Sequence, residues 1–345
     1  MRYPEFLKEG GVIGVVAPSF GCKTEPYYSG LAHARERFIG AGYRLKEGPN
    51  CEADDGVGIS STPQNCGTEF TTFYTSGEND VLMSCGGGEL MCEILPYVDF
   101  DAIKKANPKW FMGYSDNTNL TFLLTTLCDV ASIYGPCIPT FGREPWHKSV
   151  QDAMDVLTGK KLTLKNYGMW EKDSLRDADH PFVPYHLTEK SVLMQFDEAG
   201  TKTKAVAMKG RLLGGCLDCL TNLVGTSYDR VKAFTEQYKE DGIIWFLESC
   251  ELNVFGIRRA MWQLEQAGWF QYTKGFIIGR PMLFGQDIMG LNQYDAVLET
   301  AGKYHVPVIM DADIGHLPPQ MPVICGSMAE IETKGNKLTL TMELR

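Results

Sequence analysis

Three residues whose side chains suit hydrolytic chemistry follow apolar stretches of the chain. Ser115 lies in "WFMGYSDNTNL", where an apolar strand pattern changes to a helical pattern. Glu248 ends the apolar run "GIIWFLE", and His316 lies in the loop "DADIGHLPPQ" after another apolar run. A serine hydroxyl is a weak nucleophile that needs an adjacent base, and the base needs a third group to orient it. These residues are therefore candidates for a nucleophile, its base and the orienting carboxylate.

Each candidate also has a purely structural interpretation. Ser115 or Asp116 could cap the helix that follows, because serine and aspartate side chains accept hydrogen bonds from free helical N–H groups. Glu248 could belong to a structural ion pair, and Glu251 is a nearby carboxylate with the same potential role. His316 could be a solvated loop residue. The Gly-x-Ser-x pattern has asparagine where the nucleophile-elbow motif has its last glycine, so the pattern by itself leaves both interpretations open.

The stretch "SCGGGE", residues 84–89, closes a second apolar run with three glycines. A phosphate loop is not indicated, since the stretch lacks G-K-[ST] and does not complete G-x-G-x-x-G. The glycines could form a tight turn, or their N–H groups could supply half of an oxyanion hole.

Metal binding has two weak signals. Asp311 and Asp313 lie close to His316, but a metal site needs further ligands in known positions. Cys216 and Cys219 form a single CxxC without a second pair or a histidine at ligand spacing, which favours two positions on one helix face. The sequence therefore predicts no metal and no other cofactor.

Composition restricts the partners and the compartment. The chain has 345 residues, a net charge of −10 and 11 cysteines. An acidic chain without a basic run argues against nucleic acid and anionic membranes as partners. The odd number of cysteines, mostly in apolar stretches, is typical of buried thiols in a reducing cytosol. No apolar run is long enough to cross a bilayer, so a cytoplasmic protein is expected.

The order of apolar runs predicts an α/β protein. From residue 11 to about 140, short apolar runs alternate with helical patterns, which indicates a parallel sheet covered on both faces. Residues 143–209 are polar and mixed, and the alternating order returns from residue 210. We therefore expect an N-terminal domain over 1–142, a connector that begins the second domain over 143–209, and a C-terminal domain over 210–345. Alternation around Lys334-Gly335-Asn336 predicts a final hairpin.

Six motifs, taken in order along the chain, resemble the LD-carboxypeptidase family of serine peptidases, family S66. They are "GVVAPS", "SCGGGE", "MGYSDNT", "GRLLGGC", "WFLES" and "DADIGH". The resemblance covers about residues 10–340. It implies a flavodoxin-like N-terminal domain, similar to a class I glutamine amidotransferase, and a C-terminal swivelling β/β/α domain. It further implies a triad of Ser115, Glu248 and His316 shared between the two domains. Backbone N–H groups of Gly87 and Asp116 are the implied oxyanion donors.

The resemblance also bears on the substrate. The family includes murein tetrapeptide carboxypeptidases and a microcin-immunity branch, and the long segment 143–209 is more similar to that branch. However, no tryptophan lies between Trp170 and Trp245 to stack on a nucleotide base, and Cys216 replaces a common asparagine. Trp170 is a candidate substitute platform, and Arg280 is a candidate for binding a substrate carboxylate or for a structural role.

The sequence thus predicts a serine carboxypeptidase or amidase, expected as a homodimer, that acts on a small peptide or a peptidyl nucleotide. The alternative is a catalytically silent binding protein on the same fold. A cysteine enzyme of the glutamine amidotransferase type would need cysteine at position 115.

Overall fold

Strand β1, Val12–Val16, is an apolar segment that is almost wholly buried, as expected for the interior of a parallel sheet. A computed structural model describes residues 1–345, and the chain divides into two units. Unit 1 comprises residues 1–161 and 173–186, and unit 2 comprises residues 162–172 and 187–345. None of the helices combines the length and apolar character needed to cross a bilayer.

Unit 1 contains five strands and five α-helices. These are β1, α1 Tyr27–Gly40, β2 Arg44–Glu47, α2 Pro63–Thr75, β3 Val81–Ser84, α3 Phe100–Lys105, β4 Phe111–Gly113, α4 Thr118–Thr126, β5 Ser132–Tyr134 and α5 Lys148–Leu157. Short 3-10 helices span Met91–Tyr97, Ser115–Asn117 and Ile138–Gly142.

The strands of unit 1 run parallel in the order β5-β4-β3-β1-β2. The carboxyl ends of β3 and β4 are neighbours in this sheet, so the loops after them emerge side by side. One loop carries the glycines 86–88 and the other carries Ser115. The predicted strand-to-helix alternation of this half is confirmed, although "ELMCEILPYV" forms a 3-10 helix that contains Pro96 instead of an α-helix.

Unit 2 contains the remaining elements. These are β6 Thr163–Lys165, β7 Met169–Trp170, β8 Glu189–Lys190, β9 Met194–Phe196, β10 Ala207–Cys216, α6 Leu217–Leu223, α7 Val231–Gln237, β11 Ile243–Glu248, α8 Val254–Gln266, β12 Thr273–Gly279, β13 Asp287–Ile288, β14 Leu291–Asn292, α9 Gln293–Ala301, a 3-10 helix Gly302–Tyr304, β15 Val308–Ala312, β16 Val323–Cys325, β17 Met328–Lys334 and β18 Lys337–Glu343.

Eight strands of unit 2 form a mixed sheet in the order β6-β18-β17-β10-β11-β12-β15-β9. The central strands β10, β11, β12 and β15 are parallel, so their carboxyl ends lie at one edge. Strands β17 and β18 form the predicted hairpin, with Lys334 paired to Lys337 across the turn. The α/β class and the two-domain architecture are confirmed.

The structure differs from the expected connector over residues 143–209, because this segment is divided between the two units. Its first part contains α5, which buries apolar residues at helical spacing. Asp152 on the same helix is also buried, and it pairs with Lys148 at 2.8 Å and with Lys161 at 2.5 Å. The two lysines compensate the charge of this buried carboxylate.

Candidate active site

Ser115 lies at a sharp turn between β4 and α4. Its φ angle is +59°, in the left-handed region that non-glycine residues rarely adopt. Such a conformation costs roughly 1–3 kcal/mol, and it persists where surrounding contacts impose it. The Ser115 N–H donates to the Tyr134 hydroxyl at 3.1 Å, and the Thr118 hydroxyl donates to the Ser115 carbonyl at 2.5 Å. The capping interpretation is not supported, since Asn117 occupies the N-cap position of α4.

Two neighbours of Ser115 allow this turn. A Cβ atom at Gly113 would lie 2.7 Å from Cγ of Asn117, so only glycine fits there without displacement. The Asn117 side chain donates to the carbonyls of Gly86 at 2.7 Å and Tyr114 at 3.0 Å. Asn117, which departs from the usual elbow motif, therefore ties the serine turn to the glycine turn.

The glycine turn runs close to the serine side chain. A Cβ atom at Gly87 would lie 3.1 Å from Oγ of Ser115. A Cβ atom at Gly88 would collide with Oγ of Ser19, at 2.1 Å. The Gly87 carbonyl accepts from the Phe20 N–H at 2.9 Å, which holds the turn on the loop after β1. The missing side chain of Gly87 therefore leaves room for Ser115, and that of Gly88 leaves room for Ser19.

The Asp116 side chain anchors the start of the helical segment. It is buried and accepts hydrogen bonds from the Ser19 hydroxyl at 2.6 Å, the Met91 N–H at 3.0 Å and the Asn119 amide at 3.0 Å. Burial raises the pKa of this carboxyl to about 6 in spite of these donors. The sequence indicated only the Asp116 backbone as functional, and the role of its side chain in positioning was missed.

In unit 2, Glu248 and His316 form a hydrogen-bonded pair. Glu248 ends β11 and is buried, and His316 follows β15 with 12% of its side chain exposed. Nδ1 of His316 lies 2.7 Å from Oε2 of Glu248. Gly315 has φ +105°, and a Cβ atom there would lie 2.6 Å from the same oxygen, so glycine is required before the histidine.

The charge of Glu248 controls the protonation of His316. Burial opposes the charged imidazolium, but the Glu248 carboxylate and hydrogen bonds to Glu248 and Cys250 outweigh it and hold the pKa of His316 well above its ordinary value. The carboxylate therefore stabilises the imidazolium that a base forms when it accepts a proton. Glu251, the alternative carboxylate, is exposed and is not the partner of this nitrogen.

Cys216 lies beside Glu248 and His316, and the sequence did not indicate this proximity. It ends β10 directly opposite Glu248 in the register of the parallel strands. One ligand atom from each of Cys216, Glu248 and His316 lies within 4.8 Å of the other two. The thiol donates to Asp218 at 3.3 Å, and hydrogen bonding with Cys219 and burial raise its pKa well above the ordinary value. The expected placement of both cysteines on one helix face is incorrect, because Cys216 lies in the strand.

The carboxylates of Asp311 and Asp313 bind protein groups other than His316. Asp311 accepts from the Tyr294 hydroxyl at 2.8 Å and from the Gln293 amide at 2.9 Å. Asp313 pairs with Arg280 and accepts from the Tyr167 N–H at 2.6 Å. The metal site considered for these aspartates is therefore not formed.

Arg280 and Trp170 are buried and contact each other. The Arg280 guanidinium lies 5.2 Å from the centre of the Trp170 ring, and it donates to the Asp311 carbonyl at 2.8 Å. The Trp170 indole N–H donates to the Lys190 carbonyl at 3.3 Å, and its ring packs against Phe284. These contacts favour a structural role for both residues over the substrate-binding role that the sequence left open.

A serine on a strained strand-to-helix turn and a buried carboxylate–imidazole pair are the chemical components of a serine hydrolase. Unit 1 supplies the first component and unit 2 supplies the second. The sequence profile of the LD-carboxypeptidase N-terminal domain matches residues 13–135, and that of the LD-carboxypeptidase C-terminal domain matches residues 209–331. The chain belongs to the LD-carboxypeptidase family, S66, and is a serine peptidase.

Known relatives are similar over most of the chain. The microcin C7 self-immunity protein MccF of Escherichia coli is 25% identical over 82% of this chain and 79% of its own length. A Bacillus subtilis protein named "probable murein peptide carboxypeptidase" is 22% identical over 96% of this chain and 91% of its own length.

Solved structures share the fold. An MccF-like protein from Bacillus anthracis superposes with a TM-score of 0.83 at 22% identity, covering 99% of this chain and 100% of that one. MccF in complex with glutamyl sulfamoyl guanosine superposes with a TM-score of 0.79, also at 22% identity, covering 99% and 98%.

Proposed function

We propose that this protein is a serine carboxypeptidase or amidase that hydrolyses a small peptide or peptide-like amide, with Ser115 as nucleophile, His316 as base and Glu248 as the orienting carboxylate. The observation that carries the proposal is the 2.7 Å contact between Nδ1 of His316 and the buried Glu248 carboxylate. The proposal assigns proton transfer to the other ring nitrogen, Nε2. The strained φ angle of Ser115 is the second support, since strain of this kind is common at nucleophile elbows.

In the proposed mechanism, Nε2 of His316 accepts the hydroxyl proton while Oγ of Ser115 attacks the substrate carbonyl. Glu248 stabilises the resulting imidazolium, which then protonates the leaving amine as the C–N bond breaks. Water, deprotonated by His316, attacks the acyl-enzyme, and the proton returns to Oγ as the acid product leaves. Each proton is therefore carried by the same histidine.

The negative oxygen of the tetrahedral intermediate needs hydrogen-bond donors. We assign the backbone N–H groups of Asp116 and Gly87 to this role. Asp116 is supported by its position in the first helical turn after Ser115, where N–H groups point toward the strand end. Gly87 is supported by the close approach of its backbone to the serine oxygen.

The substrate has two candidate classes. The name of the Bacillus subtilis relative points to murein peptides, and the MccF complex with glutamyl sulfamoyl guanosine points to an acyl nucleotide. Because Trp170 is buried against Arg280 and Phe284, it does not support base stacking, and we place the murein-type peptide first.

Fluorophosphonate labelling followed by peptide mapping tests the nucleophile. We expect stoichiometric label on Ser115, no label in Ser115→Ala, and full labelling in the control Ser174→Ala, which changes an exposed serine of the same unit. Ser115→Ala should lose turnover by roughly 10⁶-fold while it stays folded and binds substrate. Undiminished turnover in Ser115→Ala would refute the assignment, and wild-type protein that binds peptides without label or turnover would favour the silent binding protein.

A substrate panel separates the two classes. Murein tetrapeptides with an L-D linkage, matched L-L peptides and a glutamyl sulfamoyl nucleoside should be compared by kcat/KM. We expect the highest value for a murein peptide. A preference for the nucleoside of more than about 100-fold, or about 2.7 kcal/mol, would assign the chain to the nucleotide class instead.

A further inference from the structure

The group formed by Cys216, Glu248 and His316 offers ligands that the proposed mechanism only partly uses. Glu248 and His316 have catalytic roles in that mechanism, whereas the thiol of Cys216 has none. Its presence beside the other two residues follows from the strand register, because β10 and β11 end together. The three ligand atoms are mutually within 4.8 Å.

We propose that Cys216, Glu248 and His316 form a binding site for Zn²⁺ that switches the enzyme off. Thiolate, imidazole and carboxylate are the protein ligands that zinc takes, and three of them leave one coordination position for water. Magnesium and calcium are not expected here, since they require mostly oxygen ligands.

The spacing of the three side chains suits a tetrahedral ion. Zinc bonds of about 2.0–2.3 Å place neighbouring ligand atoms roughly 3.5 Å apart. Nδ1 of His316 and Oε2 of Glu248, now 2.7 Å apart, must separate slightly, and all three ligand atoms already lie within 4.8 Å of one another. Cys216 and Glu248 end paired strands of the sheet, and His316 lies in the loop after β15.

Charge also suits zinc. Zn²⁺ bound to a thiolate, a carboxylate and a neutral imidazole has no net charge, and a buried site tolerates a neutral group of ligands better than a net charge.

Zinc binding at this site would stop catalysis if the proposed function is correct. The ion takes the nitrogen that Glu248 orients, so His316 can no longer become an imidazolium. Zinc is therefore an inhibitor here and not a cofactor, and removing it should leave activity intact.

Cobalt binding tests the site independently of catalysis, because Co²⁺ reports tetrahedral thiolate coordination by its absorption. Titration of reduced wild-type protein with Co²⁺ alone should give thiolate-to-cobalt absorption that saturates at one equivalent and disappears on adding Zn²⁺. Cys216→Ser should lose this absorption and bind zinc at least about tenfold more weakly. The matched control is Cys219→Ser, which changes the neighbouring thiol of α6 and should keep the signal.

Cys216→Ala is the second variant, and circular dichroism of each variant verifies folding. Unchanged cobalt absorption in folded Cys216→Ser or Cys216→Ala would overturn the site, as would equal loss of absorption in Cys219→Ser.

Inhibition of peptide hydrolysis by Zn²⁺ tests the consequence. Zinc should inhibit wild type and Cys219→Ser alike, EDTA should reverse the effect, and Cys216→Ser should need at least about tenfold more zinc. Cobalt bound at Cys216 with no loss of hydrolysis would confirm the metal site and contradict the catalytic role of His316. The two proposals can therefore fail separately.

Discussion

Replacing Glu248 with glutamine removes the charge that orients and stabilises His316 while it preserves the size of the side chain. The carboxylate is buried and lies 2.7 Å from Nδ1, which places the centres of the two charges about 4 Å apart. At an effective dielectric constant of about 20, opposite charges at about 4 Å attract by about 4 kcal/mol. If the transition state loses this interaction, kcat should fall by roughly 10³-fold.

The pH profile separates this electrostatic role from a loss of folding. In the wild type, the pKa of His316 lies well above 6.5. Because the base must be unprotonated to accept a proton, kcat/KM should increase with pH, and the increase should occur above pH 6.5. Glu248→Gln removes the raising effect of the carboxylate while burial still lowers the pKa. The pH-dependent increase of kcat/KM should therefore occur at lower pH. The maximum value of kcat/KM should also be much lower than in the wild type.

The assay is kcat/KM for the best peptide substrate over a range of pH, with melting temperatures measured in parallel. Glu251→Gln is the matched control, because it removes an exposed carboxylate three residues away and should behave like wild type. A Glu248→Gln enzyme that keeps more than about a tenth of the activity, or whose pH-dependent increase of kcat/KM does not move, would refute the reasoning.

Three further outcomes are expected. Gly87→Ala should lower kcat roughly 100-fold by crowding Oγ of Ser115 at 3.1 Å, whereas the control Gly86→Ala, which crowds the Phe20 carbonyl at 3.2 Å, should retain more activity. The raised pKa of Asp116, about 6 against 3.8, predicts about 3 kcal/mol of stability that is present at low pH and lost as pH rises through 6. The unfolding free energy of wild type relative to Asp116→Asn should therefore decline by about 2.4 kcal/mol between pH 4 and 7 in urea denaturation, and a constant difference would contradict it. Dialysis against EDTA should leave peptide hydrolysis unchanged, and loss of activity that zinc restores would contradict the serine mechanism.

The sequence predicted the parts of the fold that depend on local pattern. Apolar runs such as the one ending at Glu248 are strands because they are buried on both faces, and a run of this kind is recognisable without tertiary information. Ser115, Glu248 and His316 were identified because each follows such a run. The assignment of the three as one triad stays a prediction.

Other features depend on which strands become neighbours. Cys216 reaches Glu248 only because β10 pairs with β11 in one register, and nothing in the CxxC spacing reveals this pairing. The burial of Arg280 with Asp313 and Trp170 likewise joins segments far apart in the chain. The strained φ of Ser115 arises from contacts with Tyr134 and Thr118, which local pattern cannot show.

The division of the chain between the two units has a consequence for synthesis on the ribosome. The chain enters unit 2 at residue 162, returns to unit 1 at residue 173 and leaves it again after residue 186. The last segment of unit 1 therefore leaves the ribosome only after part of unit 2 has been synthesised. Strand β6 can pair only when β18, its partner at residues 337–343, has also been synthesised. The two units cannot mature strictly one after the other, as separate domains usually do. A hybrid that exchanges one unit with a relative consequently needs several splice points, because a single cut anywhere in the chain would leave β6 or residues 173–186 without their partners.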